Sequence, residues 1–138
     1  MRRVYNDIKY RGIESTSVTS KIGLIYLVRF DCKDELKYCD VLLLKTFSKL
    51  YFPENNPFNV ILDMSCINDI DRAGMEVLID FHKSTSSSGY VGFVNVNDIL
   101  LNHISKYFKE YHPDLKLNLK QKVDISKEVM DLEKRLAA

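Results

Sequence analysis

Three short runs of branched and aromatic residues alternate with segments of helical periodicity, and that alternation leaves few folds open. The runs are Ile22 to Phe30 (IGLIYLVRF), Asn59 to Met64 (NVILDM) and Tyr90 to Val96 (YVGFVNV). Each is nearly continuous in apolar character, as strands covered on both faces are. After the first run, Asp40 is placed to cap a helix carrying Leu43, Leu44, Phe47, Leu50 and Tyr51 on one face, and Pro53 stops it. After the second, Asp71 is placed to cap a helix with Met75, Leu78, Ile79 and His82 at helical spacing. After the third, Asn97 precedes the stripe Ile99, Leu100, Ile104, Tyr107, Phe108 and Tyr111, which Pro113 ends. A short strand around Leu115 to Leu119 and a last helix over residues 126–136 complete the pattern. Strands and helices alternating over short connections predict an α/β sheet with parallel neighbours. The chain reads as a single domain over residues 1–138, with residues 1–20 a lead-in or, at Val4 to Tyr10, an edge strand. The Ser84 to Gly89 stretch reads as a helix end turning into the next strand, with Gly89 free to take positive φ.

Composition narrows the function classes. Twenty Lys and Arg against nineteen Asp and Glu leave a formal charge of +1 over 138 residues. A chain so balanced lacks the basic footprint of a nucleic-acid binder, so no nucleic-acid partner is expected. Its longest unbroken apolar run, Ile22 to Val28, falls far short of the roughly 20 residues that span a bilayer. Met1-Arg2-Arg3 leads into polar residues rather than a signal-peptide core, so a soluble chain is expected. Cys32, Cys39 and Cys66 are too few and too irregularly spaced for a disulfide framework or a usual zinc site. The charge is unevenly laid out: residues 1–12 hold four Lys and Arg against one Asp, and residues 63–76 hold four acids against one Arg.

Catalysis has no foothold in the pattern. There is no GxSxG, no phosphate-cradling P-loop and no GxGxxG. His82, His103 and His112 fall on or near helices; His82 and His103 sit at the edges of apolar stripes, where a half-buried, hydrogen-bonded imidazole is the common case. Asp63, Asp69 and Asp71 gather beside one loop, which raises the idea of a receiver-like metal and phosphotransfer site. Such a site needs an acidic pair after the first strand, and Asp31 alone does not supply it. Carboxylates at element ends ordinarily cap, and that is the reading taken for Asp71 and Asp63.

The most informative stretch joins the second strand to the second helix: Leu62-Asp63-Met64, then Ile70-Asp71-Arg72-Ala73-Gly74. A strand ending in Leu-Asp-hydrophobic, followed by Ile-Asp-x-x-Gly opening a helix, resembles the STAS domain, the module shared by sulfate transporters and anti-sigma factor antagonists. The resemblance runs on through Val77-Leu78, His82-Lys83 and Gly89 to the strand Val91 to Asn95 and the helix after Asn97. Ile25 to Asp31, then Leu36 to Asp40, is similar to the sulfate-permease-type (SulP, prestin-like) transporter branch, with Asp40 where that branch usually has Asn. Val4-Tyr5, Ile8 and Gly12 resemble the lead-in that follows the last membrane span there.

That resemblance implies a mixed, partly parallel sheet with helices packed mainly on one face. It implies a non-catalytic regulatory domain on the cytoplasmic face of a membrane, with no cofactor. The implied partners are the transmembrane domain of a parent anion transporter, a second protomer, cytosolic regulatory proteins and, more remotely, a small anion or nucleotide. The implied interaction loop is Ile70, Asp71, Arg72, Ala73 and Gly74. The alternative is a free-standing protein similar to an anti-sigma factor antagonist that binds a regulatory kinase. Antagonists of that kind carry a phosphorylatable Ser directly after the motif's Asp; Arg72 and then Ala73 stand here instead. Two readings of Arg72 stay open: a solvated side chain offset by Asp69 and Asp71, or a contact for an anionic partner surface or for a small anion held at the helix N-terminus. Gly74 costs a helix about 1 kcal/mol against Ala, so a close approach of backbone there is expected.

Overall fold

In the computed structural model, the structure is described for residues 5–20, 23–31, 34–53, 58–87 and 89–137. The chain opens on a hairpin: β1 (Tyr5–Tyr10) and β2 (Ile13–Ser20) pair antiparallel from Tyr10↔Ile13 to Tyr5↔Val18. The two-residue turn puts Arg11 at φ 46° and Gly12 at φ 84°. Positive φ at both central positions is what the tight hairpin turns that match strand twist require. The first twenty residues thus supply two strands where the pattern suggested at most one. Their polar alternation (IESTSVTS) and the Arg-Gly turn carried the missed signal.

Next, β3 (Gly23–Phe30) pairs antiparallel with β2 and parallel with β5 (Phe58–Asp63), which pairs parallel with β7 (Val91–Val94) and that with β8 (Asn118–Leu119). The sheet order is β1-β2-β3-β5-β7-β8, with a separate two-residue parallel ladder between β4 (Glu35–Leu36) and β6 (Asp69–Ile70). The crossovers are α1 (Tyr38–Tyr51), α2 (Arg72–Ser86) and α3 (Asp98–Tyr111), and α4 (Ile125–Ala137) ends the chain.

Successive strand residues point to opposite faces, and the two faces are covered differently. Tyr26, Val28, Phe30, Phe58, Val60, Leu62, Val91 and Phe93 meet the buried sides of α1, α2 and α3 in the main core. Ile25, Ile61 and Val94, one residue out of step, meet Val129 and Leu132 of α4. Three helices on one face and one on the other is the arrangement, which is the mixed, mainly one-sided α/β fold. Glu128 fastens α4: its buried carboxylate receives Lys120 Nζ at 2.7 and 3.0 Å.

Several expectations need correction. Asp40 does not cap α1. Lys37 holds that position, and Asp40, three residues on, turns its carboxylate back to accept from the Lys37 backbone N–H at 3.0 Å. Ile99 is 75% exposed, because the face that docks α3 is Leu100, Ile104, Tyr107 and Phe108, and Ile99 lies one step of 100° away from it. Tyr111, at the last residue of the same helix, is also outside the core. Gly89 is not at positive φ. It is needed because a Cβ there would lie 2.1 Å from the Phe58 carbonyl oxygen.

Candidate interaction surface

The loop leaving β5 is built by short polar side chains. Asp63 accepts from Ser65 N at 3.0 Å and from Asn95 Nδ2 at 3.1 Å, closing the strand end. Asn97 caps α3 by accepting from Leu100 N at 2.8 Å, and its amide donates to Ile67 O (3.0 Å) and Asn68 Oδ1 (2.8 Å). Asn68 N–H donates to Asp34 O at 2.7 Å, and its side chain bonds the Asp34 carboxylate. His103 Nδ1 lies 2.9 Å from Asp69 Oδ1. Every element around the loop therefore holds it, and the surface it presents is set before any partner arrives.

Asp71 does more than the sequence suggests. One carboxylate oxygen accepts from Gly74 N at 2.6 Å, capping α2; the other accepts from Tyr38 N at 3.3 Å, at the first residue of α1. Two helix N-termini, each bearing unpaired N–H groups and partial positive charge, converge on one anion. The backbone is paired as well, with Asp71 N–H donating to Leu36 O at 3.0 Å. Gly74 completes the junction. A Cβ there would lie 2.7 Å from Asp71 Oδ1, 3.3 Å from Ile70 Cγ1 and 3.4 Å from the Lys37 carbonyl carbon.

Of the five residues expected to form an interaction loop, Ile70 and Gly74 are buried and Asp71 is half-buried. Arg72 and Ala73 face solvent. Beside them stands Tyr38, 47% exposed, which sequence reasoning missed because it is 33 positions away from Asp71. Arg72 reaches across to α3, where its guanidinium lies 4.9 Å from the Tyr111 ring centroid. There the Tyr107 hydroxyl donates to Glu76, whose Oε1 lies 3.2 Å from His112 Nε2. Hydrogen bonding from Tyr107 first, and then the hydrogen bond with His112 and the nearby Arg72 charge, hold the Glu76 carboxyl below its usual range. The hydrogen bond with Tyr107, first, shifts the Arg72 guanidinium further above its ordinary value.

The other candidate places carry less. A cleft of about 480 Å³ on the α4 side of the sheet is lined by Asp7, Lys9, Glu14, Leu27, Arg29 and Asp63, among others. Its two basic groups share one acid, Arg29 Nη2 to Glu14 Oε2 at 2.6 Å and Lys9 Nζ to Glu14 Oε1 at 3.8 Å, and Asp7 and Asp63 bond Thr16, Ser65 and Asn95. Among the described residues no group of three or more His, Cys, Asp or Glu is placed to hold a metal ion. No helix among them is long and apolar enough to cross a membrane.

No family model matches the chain, and no curated protein matches it. Solved structures do. A sulfate transporter family protein from Wolinella succinogenes is similar over 82% of this chain and 87% of its own, at 18% identity and a TM-score of 0.60. A candidate anti-sigma factor antagonist from Thermotoga maritima is similar over 84% of this chain and 92% of its own, at 19% identity and a TM-score of 0.58. The murine Solute Carrier 26 family member A9 anion transporter, in its inward-facing state, is similar at 18% identity and a TM-score of 0.57. There the match takes in 77% of this chain but 17% of the transporter. With its mixed sheet and its Asp-capped second helix, the chain has the STAS fold.

Proposed function

We propose that this chain is a non-catalytic interaction domain that regulates an anion transporter of the sulfate-permease type, working on the cytoplasmic side of a membrane. The observation that carries this reading is the exposed, pre-set corner at Tyr38, Arg72 and Ala73, held by an Asp71 carboxylate that fastens two helix ends. A corner so heavily cross-linked has little ordering entropy left to lose when a partner docks. The same fold within a much longer anion transporter supports a partner in the form of a transmembrane region. A second protomer and cytosolic regulators are the further partners of this reading.

The second reading, a free-standing protein like an anti-sigma factor antagonist, is supported by a fold match spanning almost all of such a chain. Arg72 in place of a hydroxyl residue counts against its phosphorylated form. A pull-down from the native source, run in parallel on detergent-solubilised membranes and on the soluble fraction, separates the two. Recovery of a membrane transporter polypeptide supports the first; recovery of a soluble kinase alone overturns it.

A further inference from the structure

Large apolar side chains exposed to solvent are concentrated on one helix. Of the seven among the described residues, α1 carries four: Tyr38, Leu42, Leu50 and Tyr51. At 100° per residue, Tyr38, Leu42, Lys45 and Lys49 fall in one line along its outer side, with Cys39, Thr46 and Leu50 flanking them. The helix's one acid, Asp40, turns its carboxylate to the Lys37 backbone, away from this line. The outer side of α1 is therefore apolar and cationic. Three of the four exposed apolar side chains lie on this side; Tyr51, about 140° around the helix from Tyr38, packs instead against Phe47 and the Tyr10 ring.

We infer that the outer side of α1 rests on an anionic lipid surface. Charge complementarity selects a negative partner and argues against a second copy, which would set lysines against lysines. The pattern of Leu and Tyr with flanking Lys suits a bilayer interface, where apolar side chains enter the headgroup boundary and lysine stems lie along it with the ammonium in water. The stripe is a ridge on the outside of a helix whose inner side, Val41, Leu44 and Phe47, is core. A flat, deformable surface meets such a ridge along its whole length. Tyr38 belongs both to this stripe and to the Arg72 corner, so the variants that test the inference are placed at Leu42, Lys45 and Lys49, outside that corner.

The test is flotation of the purified chain with vesicles of phosphatidylcholine alone and of phosphatidylcholine with phosphatidylserine. Binding is expected on the mixed vesicles, little on the neutral ones, and loss at high salt. Lys45→Glu with Lys49→Glu is expected to weaken binding by at least about thirtyfold, the worth of two basic residues at an anionic surface. Leu42→Ser is expected to weaken it at low salt, where the parent chain binds. Melting temperatures of all variants are measured alongside, so that loss of binding is not loss of fold. Absence of binding to the mixed vesicles, or binding unchanged in the lysine variant, overturns the inference. So does binding of a synthetic acidic amphipathic peptide by these residues without any binding of vesicles. A chain that stays off vesicles yet still captures a transporter from membranes removes this inference and leaves the proposed function standing.

Discussion

Gly74→Ala is expected to change sign with the state of Asp71. In the parent chain the new Cβ falls 2.7 Å from Asp71 Oδ1, the oxygen that accepts from Gly74 N at 2.6 Å. Both cannot stay, so the carboxylate must rotate away. Loss of the α2 cap costs about 1 kcal/mol, and loss of the second bond to Tyr38 N costs about another 1 kcal/mol. Replacing a helical Gly by Ala returns about 1 kcal/mol. The net is a destabilisation of about 1 kcal/mol, seen as a melting temperature lower by about 4 °C for a domain of this size. In an Asp71→Ala background the obstructing oxygen is gone, and the remaining neighbours at 3.3 and 3.4 Å are tolerable contacts. There the same substitution should stabilise, by up to about 1 kcal/mol. Urea denaturation of the four chains of this cycle measures both steps and their coupling. Equal destabilisation in the two backgrounds would refute the reasoning, because the clash would then lie with backbone and not with the shared cap.

Three further substitutions probe features that the site does not use. His82 is buried against Phe93 with Nδ1 unpaired, and burial lowers its pKa from the ordinary 6.5. Between the two pKa values the unfolded chain binds the extra proton. Stability is therefore full above pH 6.5 and falls as pH drops below it, by at most about 1.4 kcal/mol per pH unit; His82→Leu should flatten that part of the profile, and an unchanged slope would contradict it. For the α4 fastening, the two ends differ, since the Glu128 side chain is 5% exposed and that of Lys120 43%. Lys120→Met strands a buried carboxylate and should cost roughly 2–3 kcal/mol, discounted from the fully buried case because the lysine end is half in water. Glu128→Gln frees only a lysine that water can reach and should cost about 1 kcal/mol; the reverse order in urea melts would refute this account.

The parallel strands were legible from their apolar runs, and α2 and α3 because each is written twice, once in apolar period and once in its cap. Asp71 and Asn97 precede their helices in the sequence and cap them in the structure. The hairpin was less legible: its strands are half-polar, and its turn rests on Arg11, a residue with no special claim to positive φ. At α1, two carboxyl roles look alike from sequence, since an Asp at the cap and an Asp three residues inside both precede an apolar run. Only the backbone distinguishes them. The candidate surface was half legible. The motif located Arg72 and Ala73, but burial of Ile70 depends on a two-residue ladder with Leu36, and the nearness of Tyr38 depends on the fold of both helices. No local pattern encodes such contacts.

The most direct test of the proposed interaction corner is photo-crosslinking from position 73, whose side chain is exposed beside Arg72. With a photoreactive residue in place of Ala73, in the native source, the account predicts one dominant adduct with a membrane transporter polypeptide, and its loss when Arg72→Ala is added while the melting temperature holds. A dominant adduct with a soluble kinase, or an adduct pattern indifferent to Arg72, would contradict it.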